Sequence, residues 1–269
     1  MFPNLSVIGV GNMARAIVMG MLRSDHLGSN IFLYDKNPLQ YEALPQSPLL
    51  HSTDSLEDAI CQGDYVLLAV KPQNYDEVLR RVACLENHEK KIYISIAAGI
   101  AAQSVSDALG GACVIRVLPN VPMLIGKGVS VICRNDRAPS SAMSFVDEIF
   151  KSAGSNLFID ESEMNRIIGV TSSSPAYVFR FIESIYQAGL AQGLPDHALL
   201  DAVCDVVIGS AQLLKESGKT PDEMISMVAS KGGTTEQAIR VLTEGGFQEL
   251  ILQAMVACTK RAEELGKPQ

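Results

Sequence analysis

Leu5-Ser6-Val7-Ile8-Gly9-Val10-Gly11-Asn12-Met13-Ala14 decides the fold. The first four residues are an apolar run long enough for a buried strand. Gly9 to Ala14 reads G-x-G-x-x-A. Ala16, Ile17, Met19, Gly20, Met21 and Leu22 then give an apolar face at helical spacing. Strand, glycine turn and helix form the context that a dinucleotide fingerprint requires. Gly9 permits the tight turn, and Gly11 removes a side chain so that backbone can approach a pyrophosphate. Ala14 takes the third small position, where helix packs on strand. The helix start aims unpaired N–H groups and a positive dipole end at the phosphates, a role shared here by Asn12 and Met13. The plainer reading is an ordinary glycine turn. The position of the motif near the N-terminus, after a strand and before a helix, favours the cofactor.

Working outward, Ile31-Phe32-Leu33-Tyr34 predicts the second strand, ending at Asp35. An acid about twenty residues past the glycines is where such folds place the carboxylate that binds the adenosine ribose. Asp35 also reads as a turn residue before Asn37-Pro38. Lys36 and Asn37 offer a different service, to a 2′-phosphate, which an aspartate alone would repel. Asp54 to Ile60 predicts a short helix with acids in its first turn. Tyr65 to Val70 is a continuous apolar run, as expected of a strand buried on both faces. Further strands are expected at 92–96, 114–117, 129–132 and 157–159, with helices at 75–82, 105–109 and 140–151.

Strands alternating with helices predict a parallel, doubly wound α/β sheet, and ligands bind such sheets at the carboxyl ends of the strands. Three strand ends therefore join the fingerprint as candidate cofactor-binding segments: Ala69-Val70-Lys71-Pro72, Ala97-Ala98-Gly99, and Asn120 with Pro122. Small residues and prolines there let a flat cofactor lie against the backbone. Lys71 reads equally well as a solvated lysine at a helix start.

After Asp160 the pattern changes, and no strand signal follows. Apolar residues recur at helical spacing over 174–192, 196–216, 221–228, 236–242 and 246–265. The chain thus divides into a Rossmann-type domain, 1–160, and an all-helical domain, 161–269. Ala188, Leu190, Ala191, Ala202, Val203, Val206, Val207, Ile208 and Ala211 are too many for one buried stripe. Helices apolar on several faces need burial on several sides, which a second subunit would supply.

Composition excludes several classes. The net charge of -8, with no basic run, argues against nucleic acid or an anionic membrane as partner. No apolar stretch approaches a membrane span. The N-terminus enters a strand at once, so no signal peptide is expected. Six scattered cysteines without a C-x-x-C pair suggest reduced, mostly buried thiols in a cytoplasmic protein. The four histidines, His26, His51, His88 and His197, have no metal-ligand spacing, so no metal is expected.

Ser230-Lys231-Gly232-Gly233-Thr234-Thr235 precedes a predicted helix. A glycine pair followed by hydroxyls at a helix start offers N–H groups to an anion such as a substrate carboxylate. Simple capping by Thr234 or Thr235 is the alternative.

With both halves in view, the chain resembles the pyrroline-5-carboxylate reductases. The resemblance rests on Gly9 to Met13, Ala69 to Pro72, Ser95 to Gly99, Arg116 to Pro122, Gly169 to Phe179, and Gly232 to Thr235. It departs where the family usually has a glycine within Ser172-Ser173-Ser174, Pro at Lys231, Met at Leu118 and Thr at Val121. The resemblance implies a Rossmann domain followed by a helical dimerisation domain, in homodimers or larger assemblies of dimers such as decamers. It implies hydride transfer from NADPH or NADH to the C=N of 1-pyrroline-5-carboxylate, giving L-proline. Ser230, Gly232, Gly233, Thr234 and Thr235 would bind the substrate, with the Thr235 hydroxyl approaching the ring nitrogen as the catalytic group.

The chemistry of the second half agrees with an imine. A ketone or hydroxyacid reductase needs a general acid for the substrate oxygen. The β-hydroxyacid dehydrogenases supply a helical lysine before an Asn. Here Asn165 follows Glu161, Ser162, Glu163 and Met164, and no lysine lies between Lys151 and Lys215. A cyclic imine is basic enough to arrive protonated. Two rival readings are a hydroxyacid-class oxidoreductase, which the missing lysine disfavours, and a non-enzymatic dinucleotide-binding scaffold, which would not need the Gly232 to Thr235 loop.

Overall fold

A computed structural model describes residues 2–24, 27–134 and 138–266; His26 lies outside these. Eight strands alternate with helices: β1 (Leu5–Ile8), β2 (Ile31–Tyr34), β3 (Leu50–Ser52), β4 (Tyr65–Leu68), β5 (Ile92–Ser95), β6 (Cys113–Leu118), β7 (Gly128–Arg134) and β8 (Gly154–Phe158). The helices are α1 (Asn12–Arg23), α2 (Leu56–Gln62), α3 (Tyr75–Ala83), α4 (Ala102–Ala108), α5 (Ser140–Lys151), α6 (Met164–Ile167), α7 (Ser174–Ala191), α8 (Leu199–Ser217), α9 (Pro221–Val228), α10 (Thr234–Glu244) and α11 (Phe247–Leu265).

The strands form one sheet in the order β3-β2-β1-β4-β5-β6-β7-β8. The order reverses at β1, whose neighbours are β2 and β4, both parallel to it. That reversal opens a crevice at the carboxyl ends of these three strands. The all-parallel expectation fails at one edge, where β7 runs antiparallel to β6. Only the nine residues from Pro119 to Lys127, with a short helix at Val121–Ile125 and the left-handed Gly126 (φ 71°), join β6 to β7. A parallel return needs a crossover of a dozen residues or more, which that link is too short to provide. β8 then pairs parallel to β7 after the α5 crossover. β3 has no counterpart in the sequence reading, because Leu50-His51-Ser52 is too short to show alternation. His51 stacks on Phe32 of β2, with ring centroids 5.0 Å apart.

Both faces of the sheet are covered. On one, Val7, Leu67, Ile94 and Ile115 pack with Ile17, Val18 and Met21 of α1 and with Val146 and Ile149 of α5. On the other, Ile8, Val66, Leu68 and Tyr93 pack with side chains of α2, α3 and α4. Full burial of each such aliphatic side chain contributes about 1.5–3 kcal/mol. A third cluster joins Leu118, Val131, Met164 and Ile168 to Ala262 of α11.

The chain divides by contacts into two units. The first runs through Ser173 and includes the segment from Val256 onward; the second is Ser174–Met255. The second unit is entirely helical. α9 starts with Pro221 behind a capping box formed by Thr220 and Glu223. Val203 is the one hydrophobic residue of this unit that is buried, whereas Phe179, Phe181, Ile185, Val206, Ile208 and Leu250 are exposed.

All six cysteines are free thiols. The expectation that most are buried is corrected: Cys133 is buried, but Cys61 and Cys84 are exposed near the ends of α2 and α3.

Candidate cofactor cleft and substrate loop

A cleft of about 390 Å³ lies over the strand-order reversal. Gly9, Gly11, Asp35, Lys36, Ala69, Val70 and Lys71 line it, together with Tyr34, Gln40 and Asn74. Gly9 has φ 91°, and a Cβ there would stand 2.9 Å from the Ala69 carbonyl oxygen. Only glycine lets the chain leave β1 so close to the end of β4. Gly11 differs. It caps α1 with extended backbone and no side-chain hydrogen bond, and nothing lies within 4 Å of where its Cβ would be. A side chain at position 11 would fill the space that a pyrophosphate needs to reach the first amides of α1. The cleft therefore fits a dinucleotide. Ala14 is buried against the core. Asn12 accepts a hydrogen bond from Arg15, and Met13 packs against the core edge.

Asp35 anchors the end of β2. Its Oδ2 accepts the Val10 N–H at 2.7 Å and its Oδ1 accepts the Asn37 N–H at 2.8 Å. The carboxylate thus ties the glycine turn to the β2 turn and faces the cleft, with a further lone pair available on each oxygen. The Asn37 side chain accepts from Leu39 N–H and caps the short helix at Pro38–Ala43. Lys36 pairs with Glu77 of α3, Nζ to Oε1 at 2.8 Å and Oε2 at 2.9 Å.

The other strand ends behave differently. Pro72 starts a single helical turn directly after the cleft-lining Lys71. Beneath this stretch the buried Tyr75 hydroxyl donates to the Leu68 carbonyl at 2.8 Å and lies 3.1 Å from Ser95 Oγ. Burial pushes that phenol up to about 12. Tyr75 thereby fixes the end of β4 to the end of β5, a role that its place in a helical apolar pattern did not reveal. Ala97, Ala98 and Gly99 are not brought to the cleft. Ala97 and Ala98 pack in the second and third core clusters. Gly99, with φ 81°, meets the last turn of α11, where a Cβ would lie 2.8 Å from the Ala262 carbonyl oxygen. Asn120 is buried and structural in its contacts: Nδ2 donates to the Thr171 carbonyl at 2.9 Å and Oδ1 accepts from Val129 N–H at 2.8 Å. Pro122 is the second residue of the short helix, Val121–Ile125, between β6 and β7.

A buried ionic cluster lies under the end of β6. Arg116, 2% exposed, donates from Nη1 to Glu161 Oε1 at 2.8 Å and from Nη2 to Asn165 Oδ1 at 3.0 Å. Glu161 also accepts from Ala102 N–H at 3.2 Å and from Cys133 Sγ at 2.9 Å. Burial, reinforced by the Glu161 carboxylate, pushes the Cys133 thiol up to about 12. Donors from three elements, β6, α4 and β7, meet at this one carboxylate, which sequence spacing does not reveal.

In the second unit the loop before α10 has the form its glycines suggest. Gly232 is left-handed at φ 74°, and Gly233 caps α10. A Cβ on Gly233 would lie 2.8 Å from Ser230 Oγ and 2.9 Å from the Ser230 carbonyl oxygen. No side chain caps α10, so neither Thr234 nor Thr235 is spent on the capping alternative. Thr235 is half-buried on the first turn. Glu236 reaches back to accept the Gly232 N–H at 2.8 Å.

A doubly wound sheet with a glycine-turn cleft at its strand-order reversal, followed by a helical unit, defines an oxidoreductase of the dinucleotide-dependent class. Comparison with known proteins narrows this. Residues 161–265 match the family model described as pyrroline-5-carboxylate reductase dimerisation, and residues 4–99 match NADP oxidoreductase coenzyme F420-dependent. The chain is 33% identical to the pyrroline-5-carboxylate reductase of Escherichia coli over 99% of its own length and 100% of the relative's. It superposes on the structure of a pyrroline-5-carboxylate reductase from Coxiella burnetii with a TM-score of 0.91, at 27% identity and full coverage of both chains. The Plasmodium falciparum pyrroline carboxylate reductase, solved with NADP bound, gives 0.87 at 25% identity, covering 98% of each chain. The chain belongs to the pyrroline-5-carboxylate reductase family.

Proposed function

We infer that the chain transfers hydride from NADPH or NADH to the C=N carbon of 1-pyrroline-5-carboxylate, giving L-proline as the last step of proline biosynthesis. Family membership supports the reaction. The observation that carries it to particular residues is the Ser230 to Thr235 loop, whose glycines open the first turn of α10 while no side chain caps it. Ser230 and Thr234, joined by the Gly232 and Gly233 amides once these leave the Glu236 carboxylate and the Ser230 carbonyl, hold the substrate carboxylate, and the Thr235 hydroxyl meets the ring nitrogen. Gly9, Gly11, Asp35, Lys36, Ala69, Val70 and Lys71 hold the dinucleotide. Bound nicotinamide supplies the hydride. The chain contributes mainly position, since a protonated imine needs no strong enzymatic acid. Steady-state turnover of pyrroline-5-carboxylate with each cofactor tests this reading, and an absence of cofactor oxidation by the folded protein overturns it.

The helical half carries the dimer contact, and a decamer would be five such dimers. The exposed Phe179, Phe181, Ile185 and Val206 in a unit with one buried hydrophobic residue support self-association. Light scattering at micromolar concentration is expected to give a dimer or a multiple of it. A folded, monodisperse monomer would contradict the assignment. No helix among the described residues is long and apolar enough to cross a membrane. Six free thiols support a cytoplasmic setting.

A further inference from the structure

We propose that Glu77 is a specificity residue of the cofactor cleft, disfavouring the 2′-phosphate of NADPH by neutralising Lys36. The proposal rests on the reading of the cleft as the dinucleotide site. Lys36 lines that cleft beside Asp35, at the end of β2 where the adenosine ribose belongs in this fold. Its ammonium would be the cationic partner that the β2 turn offers a phosphate on that ribose, yet both oxygens of Glu77 already hold it. Glu77 stands on α3 beside Val78, itself a lining residue.

The neighbouring charges do not compensate. Arg81, one turn further along α3, is held by both oxygens of Glu57 at 2.9 and 2.8 Å. Asp35 adds a second carboxylate at the cleft wall. Around the β2 turn, Asp35, Glu57 and Glu77 therefore face Lys36 and Arg81, each of them paired, while Lys71 lines the cleft from the end of β4. A dianionic phosphate entering here must take Lys36 from Glu77 and then remain beside the displaced carboxylate. A ribose hydroxyl asks for neither, and the free lone pairs of Asp35 can accept it. The Lys36–Glu77 pair is solvent-exposed, with side chains 59% and 50% accessible, so it is weak enough to be exchanged and the effect is graded. Discrimination is then carried by a residue outside the glycine fingerprint and the β2 turn.

The test is direct binding, read from the fluorescence of NADPH and NADH, in the wild-type protein, Glu77→Gln and Lys36→Ala at low and high salt. Glu77→Gln is expected to tighten NADPH about threefold to tenfold while NADH changes less than twofold. Lys36→Ala should weaken NADPH selectively, and Glu77→Gln in that background should no longer discriminate. The gain should shrink at high salt. A NADPH-to-NADH affinity ratio unchanged in Glu77→Gln overturns the role of Glu77 while leaving the cofactor reading intact. Wild-type protein that binds neither dinucleotide overturns both.

Discussion

Glu161→Ala is expected to destabilise the first unit by about 3–5 kcal/mol, the cost of leaving a buried charge without its partner. Arg116 is 2% exposed, and without Glu161 its remaining side-chain acceptor is Asn165 at 3.0 Å. Its Nε already lacks a partner. The substitution also strips acceptors from Ala102 N–H and Cys133 Sγ. At about 2–4 °C per kcal/mol for a chain of this size, the melting temperature should fall on the order of 10 °C. Arg116→Met is expected to cost less, because it removes the buried charge and leaves Glu161, whose side chain is 36% exposed, within reach of water. Thermal and urea unfolding of both variants check the order. Equal losses, or a larger loss in Arg116→Met, would show that the guanidinium is not the costly group.

Thr235→Ala is expected to lower kcat/KM roughly tenfold to a hundredfold with little change in cofactor affinity. One hydrogen bond to a charged or developing group is worth about 1.5–3 kcal/mol, which sets that range. The motivation is a half-buried hydroxyl on the first turn of α10, in a helix capped by Gly233 and by no side chain. Stability should be nearly unchanged, since the hydroxyl does not cap the helix. Steady-state kinetics together with dinucleotide titration separate the two effects. Wild-type kinetics in a folded variant, or a parallel loss of cofactor binding, would remove Thr235 from the reaction.

Local constraints were readable in the sequence. The glycine turn could be read because Gly9 and Gly11 each answer a requirement of neighbouring backbone, one a positive φ and one an open face. β4 could be read because burial on both faces leaves an unbroken apolar run. Long-range relations could not be read. The reversal of β7 depends on the length of a turn, not on any residue within the strand. Gly99 looks like a cofactor-side glycine in sequence, but its bare face meets α11, more than 160 positions away. Asn120 reads as a strand-end polar residue, yet both ends of its amide are used to join two other segments. Glu77 is one surface acid among 30 Asp and Glu residues until the fold sets it against Lys36.

The third core cluster gives the chain an order of events during synthesis. Leu118, Val131, Met164 and Ile168 come early, but Cys258 and Ala262, which pack against them, come from α11. A ribosome adding about 5–20 residues per second exposes this apolar patch for several seconds before the covering helix emerges. The nascent sheet is therefore complete in hydrogen bonds before it is complete in packing, and chaperone capture or misassembly would fall within that interval. The same dependence makes the final turns of α11 a quality check on the whole chain, because a product truncated before Ala262 retains every strand and still lacks part of its core.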